Sequence, residues 1–595
     1  MARSECEAGM KMMEELTTNA QQIQEQVLGE ILRRNAGTEY LSGFLHGQID
    51  KKLFKNNVPI VTYEDIKPYI DRIANGEPSD ILLAEPVIQF YRSSGTSGGQ
   101  PKLIPTTAEL ANKWPIFRTL LQSVMTKHFG ELDQAGKGMS LMFTKPAIET
   151  PSGLKATSVS TSIFKESGFK TTLSKLYTSP VETIFCPDTK QSMYCQLLAG
   201  LIQRDEVVTV GSTFASTVLR AIKFLEDYWQ ELCSNIKTGQ ISDWIIDSGC
   251  RNAASLIMKH NPDLAYSIEN ICSCKSWEGI IRKLWPKAKY ISAINTGVMS
   301  QYTAELEFYG GGLPLVSGFY ACSEAICGIN LEPLRKPSDV SYTFLPNMAY
   351  FEFLPMKKDC VTISQDQAQF DGLSHHESIE MKTNNEDTEP VDLVNVKPGQ
   401  CYELLVTTSS GLYRYRVGDI LMASGFHNNT PQFQFMERQN VILSIDADKT
   451  SEADLLKAVT EAKTLLDPLG FILTGYTSYG DISSTPGHYV LFWELKGNEG
   501  SDVKELDPKI MVECCSKIEE SLNYIYKIYR KENAIAALEI RVVKQGTFDA
   551  LMDYYVSEGA SLSQYKAPSC TKSKEALKIL DSRVIGKFFS PKTPI

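Results

Sequence analysis

Ser93-Ser94-Gly95-Thr96-Ser97-Gly98-Gly99-Gln100-Pro101-Lys102 is the stretch on which the reading of this chain turns. It follows the strand-like Ile88-Gln89-Phe90-Tyr91 and stays polar until Leu103-Ile104-Pro105. Glycines let a backbone turn with positive φ, so successive N–H groups can face one anion. Ser94, Thr96 and Ser97 add hydroxyl donors, and Lys102 adds a mobile positive charge. A Walker A loop would join Gly-Lys-Ser/Thr at the start of a helix; here Pro101 separates the glycines from the lysine. A flexible Ser/Gly linker is the competing reading. The strand before the loop and the apolar exit after it argue for a phosphate-holding turn, with ATP as its ligand.

Length and charge bound the rest. A chain of 595 residues has room for two to four domains. Hydrophobic residues at 43% and charged residues at 22% describe a soluble globular protein. A net charge of −11 excludes general attraction to nucleic acid or an anionic membrane, so a phosphate site must gather its cations locally. No apolar run is long enough to span a bilayer, and Met1–Asn19 lacks the apolar core of a signal peptide, which leaves the cytoplasm as the expected location. The 14 cysteines lie mostly singly in apolar stretches, as at Cys186, Cys195 and Cys401, and read as free thiols of a reducing compartment. The pairs Cys272/Cys274 and Cys514/Cys515 have no second pair at zinc-ligand spacing.

Helical and strand patterns alternate along the chain, which predicts an α/β protein with several sheets. Residues 6–34 fit one amphipathic helix with Met13, Leu16, Ala20, Ile23, Val27 and Ile31 on one face. Strands are expected at Val181–Cys186, Val207–Val210, Ala288–Ile294, Leu313–Tyr320, Ala349–Leu354 and Cys401–Thr408, then through Gly411–Ala423 and Gln432–Met436. The polar stretch 357–399 reads as a long surface loop. Residues 438–450 read as a hinge between a large domain, 1–437, and a smaller mobile α/β domain, 451–595. The smaller domain is expected to hold helices at 451–467 and 508–530 and strands at His488–Glu494 and Leu538–Val543.

Two further segments carry chemistry. Phe319-Tyr320-Ala321-Cys322-Ser323-Glu324 follows an apolar strand, so it can present an aromatic face to a purine and a carboxylate to Mg²⁺. In Leu412-Tyr413-Arg414-Tyr415-Arg416-Val417-Gly418-Asp419, alternation puts Tyr413, Tyr415 and Val417 on one face and both arginines on the other. Gly418 permits a turn at the strand end, from which Asp419 can accept both ribose hydroxyls. The competing reading is a surface strand whose arginines pair with acidic neighbours. Lys566, just before Ala567-Pro568, gains meaning only if the small domain closes over the 93–102 loop.

With these segments in place, the chain resembles the plant Gretchen Hagen family of acyl acid amido synthetases, a branch of the firefly-luciferase-like adenylate-forming enzymes. The likeness runs nearly end to end and includes Leu345-Pro346-Asn347, Phe426-His427-Asn428-Asn429-Thr430-Pro431-Gln432, Pro486-Gly487-His488-Tyr489 and Gly546-Thr547-Phe548. It looks closest to the branch conjugating benzoates, chorismates and indole-3-butyrate. The resemblance implies a large N-terminal domain with several sheets, a small β-barrel among them, and a mobile C-terminal domain. It implies ATP and Mg²⁺ as cofactors, and an acyl acid and an amino acid, glutamine or glutamate by family habit, as small-molecule partners. It implies that Ser93, Ser94, Gly95, Thr96 and Ser97 hold phosphates and that Tyr320, with Ala321, Cys322 and Ser323, meets the adenine. Glu324 would serve Mg²⁺, Asp419 the ribose, and Lys566 the charge developing on the phosphates; Glu324 and Lys566 are the catalytic pair. Arg118, Leu121, Gly318 and Phe319 would line the acyl pocket, and Thr161, Glu539 and Arg541 would receive the amino acid.

Departures from the family pattern matter. Ala321 and Cys322 replace glycine and serine of the usual Tyr-Gly-Ser-Ser-Glu, and alanine is strained if φ is positive there. Leu121 stands where benzoate-conjugating relatives carry an arginine, seven residues before His128. An apolar wall favours a larger ring on a flexible alkyl carboxylate, with indole-3-butyrate first and benzoates or chorismates second, unless Arg118 supplies the missing charge. A coenzyme A ligase and a ligand-sequestering protein without turnover are the competing functional classes.

Overall fold

A computed structural model describes residues 3–93, 102–130, 136–356, 389–438, 441–445, 448, 450–484, 486–497, 507–560, 562 and 565–591. Two sheets share the first half of the chain. β1 (Gln89–Arg92) pairs antiparallel with β2 (Leu103–Thr106), so the Ser93–Lys102 stretch connects two paired strands. β4 (Ile148–Glu149) and β5 (Lys155–Thr157) complete this sheet in the order β2-β1-β5-β4. In the other sheet β3 (Lys137–Leu141), β6 (Val207–Phe214), β7 (Tyr290–Ile294) and β8 (Leu315–Val316) run parallel in that order. Parallel strands need long crossovers that cover both faces, which is why they read as apolar runs. Met139, Leu141, Val210, Ile291 and Leu315 accordingly share one core with Val218, Ile222 and Leu225 of the helix Ala215–Thr238.

The chain then forms an eight-stranded antiparallel sheet from β9 (Phe319–Ala321), β10 (Ile326–Ile329), β11 (Tyr342–Phe344), β12 (Tyr350–Pro355), β13 (Val391–Asp392), β14 (Cys401–Thr407), β15 (Tyr415–His427) and β16 (Thr430–Arg438). Its order is β13-β12-β14-β15-β16-β11-β10-β9. Pairing is linear, and among the described residues no ladder joins the two end strands. β17 (Val441–Leu443) and β18 (Thr450–Ser451) make a short ribbon within the expected hinge. Beyond it β19 (Phe471–Asp481), β20 (His488–Gly497), β21 (Glu539–Val543) and β22 (Val584–Phe589) form a last sheet, packed against helices Glu452–Lys463 and Pro508–Ser521.

Several local expectations change. The helix over 6–34 is two, Arg3–Thr18 and Ala20–Asn35. The break frees Thr17, whose carbonyl accepts from Asn429 N–H at 3.1 Å and from Thr430 Oγ1 at 3.2 Å on the β15–β16 hairpin. Val181–Phe185 is a helix, not a strand: Pro180 stands at its N-cap, and Thr183 and Ile184 face the core. The 508–530 helix is also two, because Asn523 caps a new helix, Tyr524–Lys531. Most of the polar stretch 357–399 falls outside the described residues, but 391–395 form β13 and a short 3₁₀ turn rather than loop. Twelve described cysteines are free thiols; Cys401, expected among them, is disulfide-bonded.

Candidate active site

Because β3, β6, β7 and β8 are parallel, their carboxyl ends share one edge, where an open α/β sheet offers ligands a crevice. The groups singled out above gather at those ends. β3 leads to Lys145, whose N–H donates to Thr161 Oγ1 at 3.3 Å. β6 ends at Phe214, and Lys566 Nζ lies 5.3 Å from that ring's centre. β8 leads through Gly318 to Phe319 and Tyr320 on β9. Lys566 arrives with the C-terminal part of the chain, which is tied down beside it: Ser216 Oγ donates to Tyr565 O at 3.0 Å and Thr217 Oγ1 to Leu562 O at 3.1 Å.

The second and third motifs meet directly. Tyr320 donates its hydroxyl to Asp419 Oδ2 at 2.6 Å, with both residues buried. Burial first, then the Asp419 charge, pushes the Tyr320 hydroxyl well above the usual tyrosine range, so it stays a donor. The loop joins them at its exit. Ser93 N–H donates to Lys102 O at 3.0 Å, and Lys102 N–H donates to Ser93 Oγ at 2.9 Å, which holds the two flanks together. Lys102 Nζ then donates to Tyr415 OH at 2.9 Å, across 313 residues of sequence, and lies 4.0 Å from Glu324 Oε1. Tyr415 OH is 3.5 Å from the same Glu324 oxygen. Lys102 also sits 5.5 Å from the ring centres of both Tyr63 and Tyr415. Ser94, Gly95, Thr96 and Ser97 lie outside the described residues.

The turn after Tyr320 answers the concern over its substitutions. Ala321 belongs to β9 and is not among the residues with positive φ, so it carries no glycine-like strain. Cys322 closes a tight turn, its N–H donating to Ala325 O at 2.9 Å, which leaves Ser323 at the tip and Glu324 buried. The Tyr413–Asp419 reading needs correction at its start. Arg414 has φ 47°, and the strand begins only at Tyr415. Tyr413 precedes that strand and donates to Leu82 O at 2.7 Å. Arg414 forks onto buried Glu352 with two 3.1 Å bonds, and Arg416 grips Glu403, so the arginines do pair with acidic neighbours. Gly418, at φ 83°, lies within β15 rather than at its end, beside a register shift opposite Glu403–Leu405.

Leu121, on the helix Ala108–Phe129, is a neighbour of Gly318: a Cβ on Gly318 would lie 3.2 Å from Leu121 Cδ1 and 3.8 Å from Met125 Cε. Phe319 packs edge-on against Phe117 of the same helix at 5.6 Å. Arg118 is occupied elsewhere, 3.6 Å from Glu166 and over the Phe169 ring. Thr161 is buried at the start of its helix and accepts from the Ser158 hydroxyl at 2.9 Å. Glu539 and Arg541 are adjacent on β21 and bonded at 2.7 Å; Arg541 also donates to Asp581 at 2.7 Å and to Tyr479 at 3.1 Å. Among the described residues no hydrogen bond or ion pair joins this pair to Thr161. Sequence reading missed Tyr63 and gave Tyr415 no role beyond a strand face. The only available signal for Tyr415 was its place four residues before Asp419.

Three family models match in chain order: GH3 family N-terminal domain over residues 9–315, GH3 family central domain over 342–438 and GH3 family C-terminal domain over 453–575. Indole-3-acetic acid-amido synthetase GH3.17 of Arabidopsis thaliana is 54% identical, covering 99% of this chain and 97% of its own. The 4-substituted benzoates-glutamate ligase GH3.12 of the same plant is 49% identical over 98% of each chain. A solved structure of AtGH3.15 acyl acid amido synthetase in complex with 2,4-DB superposes with a TM-score of 0.90 at 49% identity, covering 100% of this chain and 99% of that one. The chain belongs to the GH3 family, the Gretchen Hagen acyl acid amido synthetases.

Proposed function

We propose that this ligase conjugates an amino acid to an auxin-type acid, indole-3-butyrate in the first place, through an acyl-adenylate, and so sets the level of the free hormone. The carboxylate oxygen attacks the α-phosphorus of ATP, and the bond to the β-phosphate oxygen breaks to release pyrophosphate. The amine nitrogen of glutamine or glutamate then attacks the acyl carbon; the carbon–oxygen bond to AMP breaks, and the amine loses a proton. Holding acid and α-phosphate side by side makes the first attack local rather than bimolecular.

The observation that carries this reading is the junction of three distant segments through Lys102–Tyr415–Glu324 and Tyr320–Asp419. On this reading Tyr320 covers the adenine, Asp419 takes the ribose hydroxyls, and residues 93–97 with Lys102 hold the phosphates. Among the described residues Glu324 is a buried oxygen ligand with a long 3.5 Å hydrogen bond and a 4.0 Å ion pair, and it would hold Mg²⁺, a cation that takes oxygen ligands. That ion would neutralise charge on the leaving pyrophosphate. Lys566, beside Phe214 at the end of β6, would offset charge on the α-phosphate. Thr161 with Glu539 and Arg541 would take the amino acid, which requires the part of the chain beyond 438–450 to change pose between the two half-reactions.

Leu121 beside Gly318 supports an apolar acyl wall, and Arg118, paired with Glu166, offers it no spare charge. Auxin-type acids fit that wall; benzoates and chorismates, which gain from a cation there, come second. Twelve described free thiols against a disulfide at Cys401 favour a reducing compartment on balance, and we place the enzyme in the cytoplasm. A matrix of acids against twenty amino acids, read as pyrophosphate release and amide mass, tests the proposal. Indole-3-butyrate should give the highest turnover with glutamine or glutamate. A matrix led by 4-substituted benzoates would overturn the acid assignment, and release without any amide would overturn the reaction.

A further inference from the structure

We propose that Asn295 reads the edge of the nucleotide's base through its side-chain amide, making it a specificity-determining residue for ATP. Asn295 is the first residue beyond β7 and is 1% exposed, yet among the described residues neither its Nδ2 nor its Oδ1 has a hydrogen-bond partner. Buried polar groups in folded proteins are almost always paired, so a buried amide with both ends open points to a ligand as its partner. A leucine or valine would fill the same space at lower cost to the ligand-free fold.

Its place on the sheet says what that is. β7 lies between β6 and β8, so Asn295 comes off the shared edge between the strand end carrying Phe214 and Lys566 and the one leading to Tyr320. The residues that follow are fixed to the aromatic wall. Thr296 Oγ1 is 3.0 Å from Tyr342 OH, which is 2.8 Å from Ser317 Oγ, and the Tyr342 ring lies 5.8 Å from that of Tyr320. At Gly297 (φ 59°) a Cβ would come within 2.8 Å of Phe435, whose ring is 5.9 Å from that of Tyr320. The backbone is therefore pinned beside the proposed adenine wall while the amide itself is uncommitted. Adenine presents the 6-amino donor next to a ring-nitrogen acceptor, and an Asn amide complements that pair with two parallel hydrogen bonds.

The inference rests on the proposed nucleotide position, and one experiment separates the two. Equilibrium affinities for ATP and for purine riboside triphosphate, which lacks the 6-amino group, are measured on the full-length wild type and on Asn295→Leu, together with the ligand-free melting temperature. The wild type should prefer ATP by about tenfold or more. Asn295→Leu should bind ATP no better than the analogue, lose less on the analogue (only the bond to the ring nitrogen) than on ATP, and melt at the same or a higher temperature without ligand. An ATP-to-analogue ratio kept at the wild-type value overturns the inference, and a kept ratio with a lower melting temperature assigns the amide to a buried structural water. Asn295→Ser, smaller and polar, gives the same ratio test if the leucine variant does not fold. Asp419→Ala in the same assay marks the other failure: unchanged ATP affinity there moves the nucleotide elsewhere and removes the premise, whereas weakened ATP with a kept Asn295 ratio sinks this inference alone.

Discussion

Replacing Asp419 with alanine is the sharpest probe of the nucleotide site. The carboxylate is 4% exposed and accepts the Tyr320 hydroxyl at 2.6 Å. On the proposed reading it also accepts both ribose hydroxyls. A hydrogen bond to a charged group contributes about 1.5–3 kcal/mol, and two that share one carboxylate do not simply add. A loss of about 3 kcal/mol corresponds to an ATP dissociation constant raised about 100-fold. The acid, which touches none of these groups, should bind within about twofold of wild type when titrated alone. Calorimetric titration of ATP, of 2′,3′-dideoxy-ATP and of the acid against both proteins decides the matter. The wild type should lose on the dideoxy compound about what the variant loses on ATP, and the variant should not tell the two nucleotides apart. Equal losses of ATP and acid, or a variant that still distinguishes the nucleotides, would refute the assignment.

Other perturbations follow from particular contacts. Leu121→Arg puts a cation beside Gly318, and the ratio of kcat/KM for a 4-substituted benzoate to that for indole-3-butyrate should rise about tenfold or more; an unchanged acid profile would show that Leu121 does not face the acid. For Glu539, burial works to raise the carboxyl, but hydrogen bonds from His488 and Arg541 and the charges of Arg541 and Lys587 outweigh it and hold it at about 2 against an ordinary 4.5. A depressed acid contributes stability that is present above pH 4.5 and lost as pH falls towards 2, about 3 kcal/mol by linkage. Glu539→Gln should therefore cost stability at pH 7 and lose that deficit by pH 2, followed by thermal melts; a deficit independent of pH would contradict the pairing. Gly211→Ala would set a Cβ 2.2 Å from Ser292 O on the neighbouring parallel strand, so β6 and β7 must separate. Melting should fall by several degrees, and an unchanged melt would mean that the sheet has slack there.

The site was legible in sequence where chemistry is written in consecutive residues. The Tyr320–Glu324 and Tyr413–Asp419 strings stand out as consecutive residues, and the structure brings Tyr320, Glu324, Tyr415 and Asp419 together; the Pro101–Lys102 order separates this loop from a Walker A. What could not be read depends on partners far along the chain. Arg414 looks like an alternating strand residue, but the buried charge of Glu352 draws it inward and bends the backbone to positive φ. Val181–Phe185 is too short for apolar pattern to separate strand from helix, and Pro180 at the N-cap tips it to helix. β19 escaped because its residues alternate weakly; its glycine at 475 is shaped by Phe548, where an added Cβ would come within 2.7 Å of the ring. Nothing in the sequence marks Asn295, just past β7, as a buried amide.

The row of strand ends also acts as a ruler. Neighbouring strands stand about 4.8 Å apart, so the three steps from β3 to β8 set the Thr161 side and the Tyr320 side about 14 Å from each other. A free acid or a single amino acid is too short to span that distance, whereas a base, a sugar, a phosphate and an acyl chain joined in one molecule reach across it. On the proposed reading, the acid and the amino acid each meet part of the row, whereas the mixed anhydride is long enough to be measured against all of it.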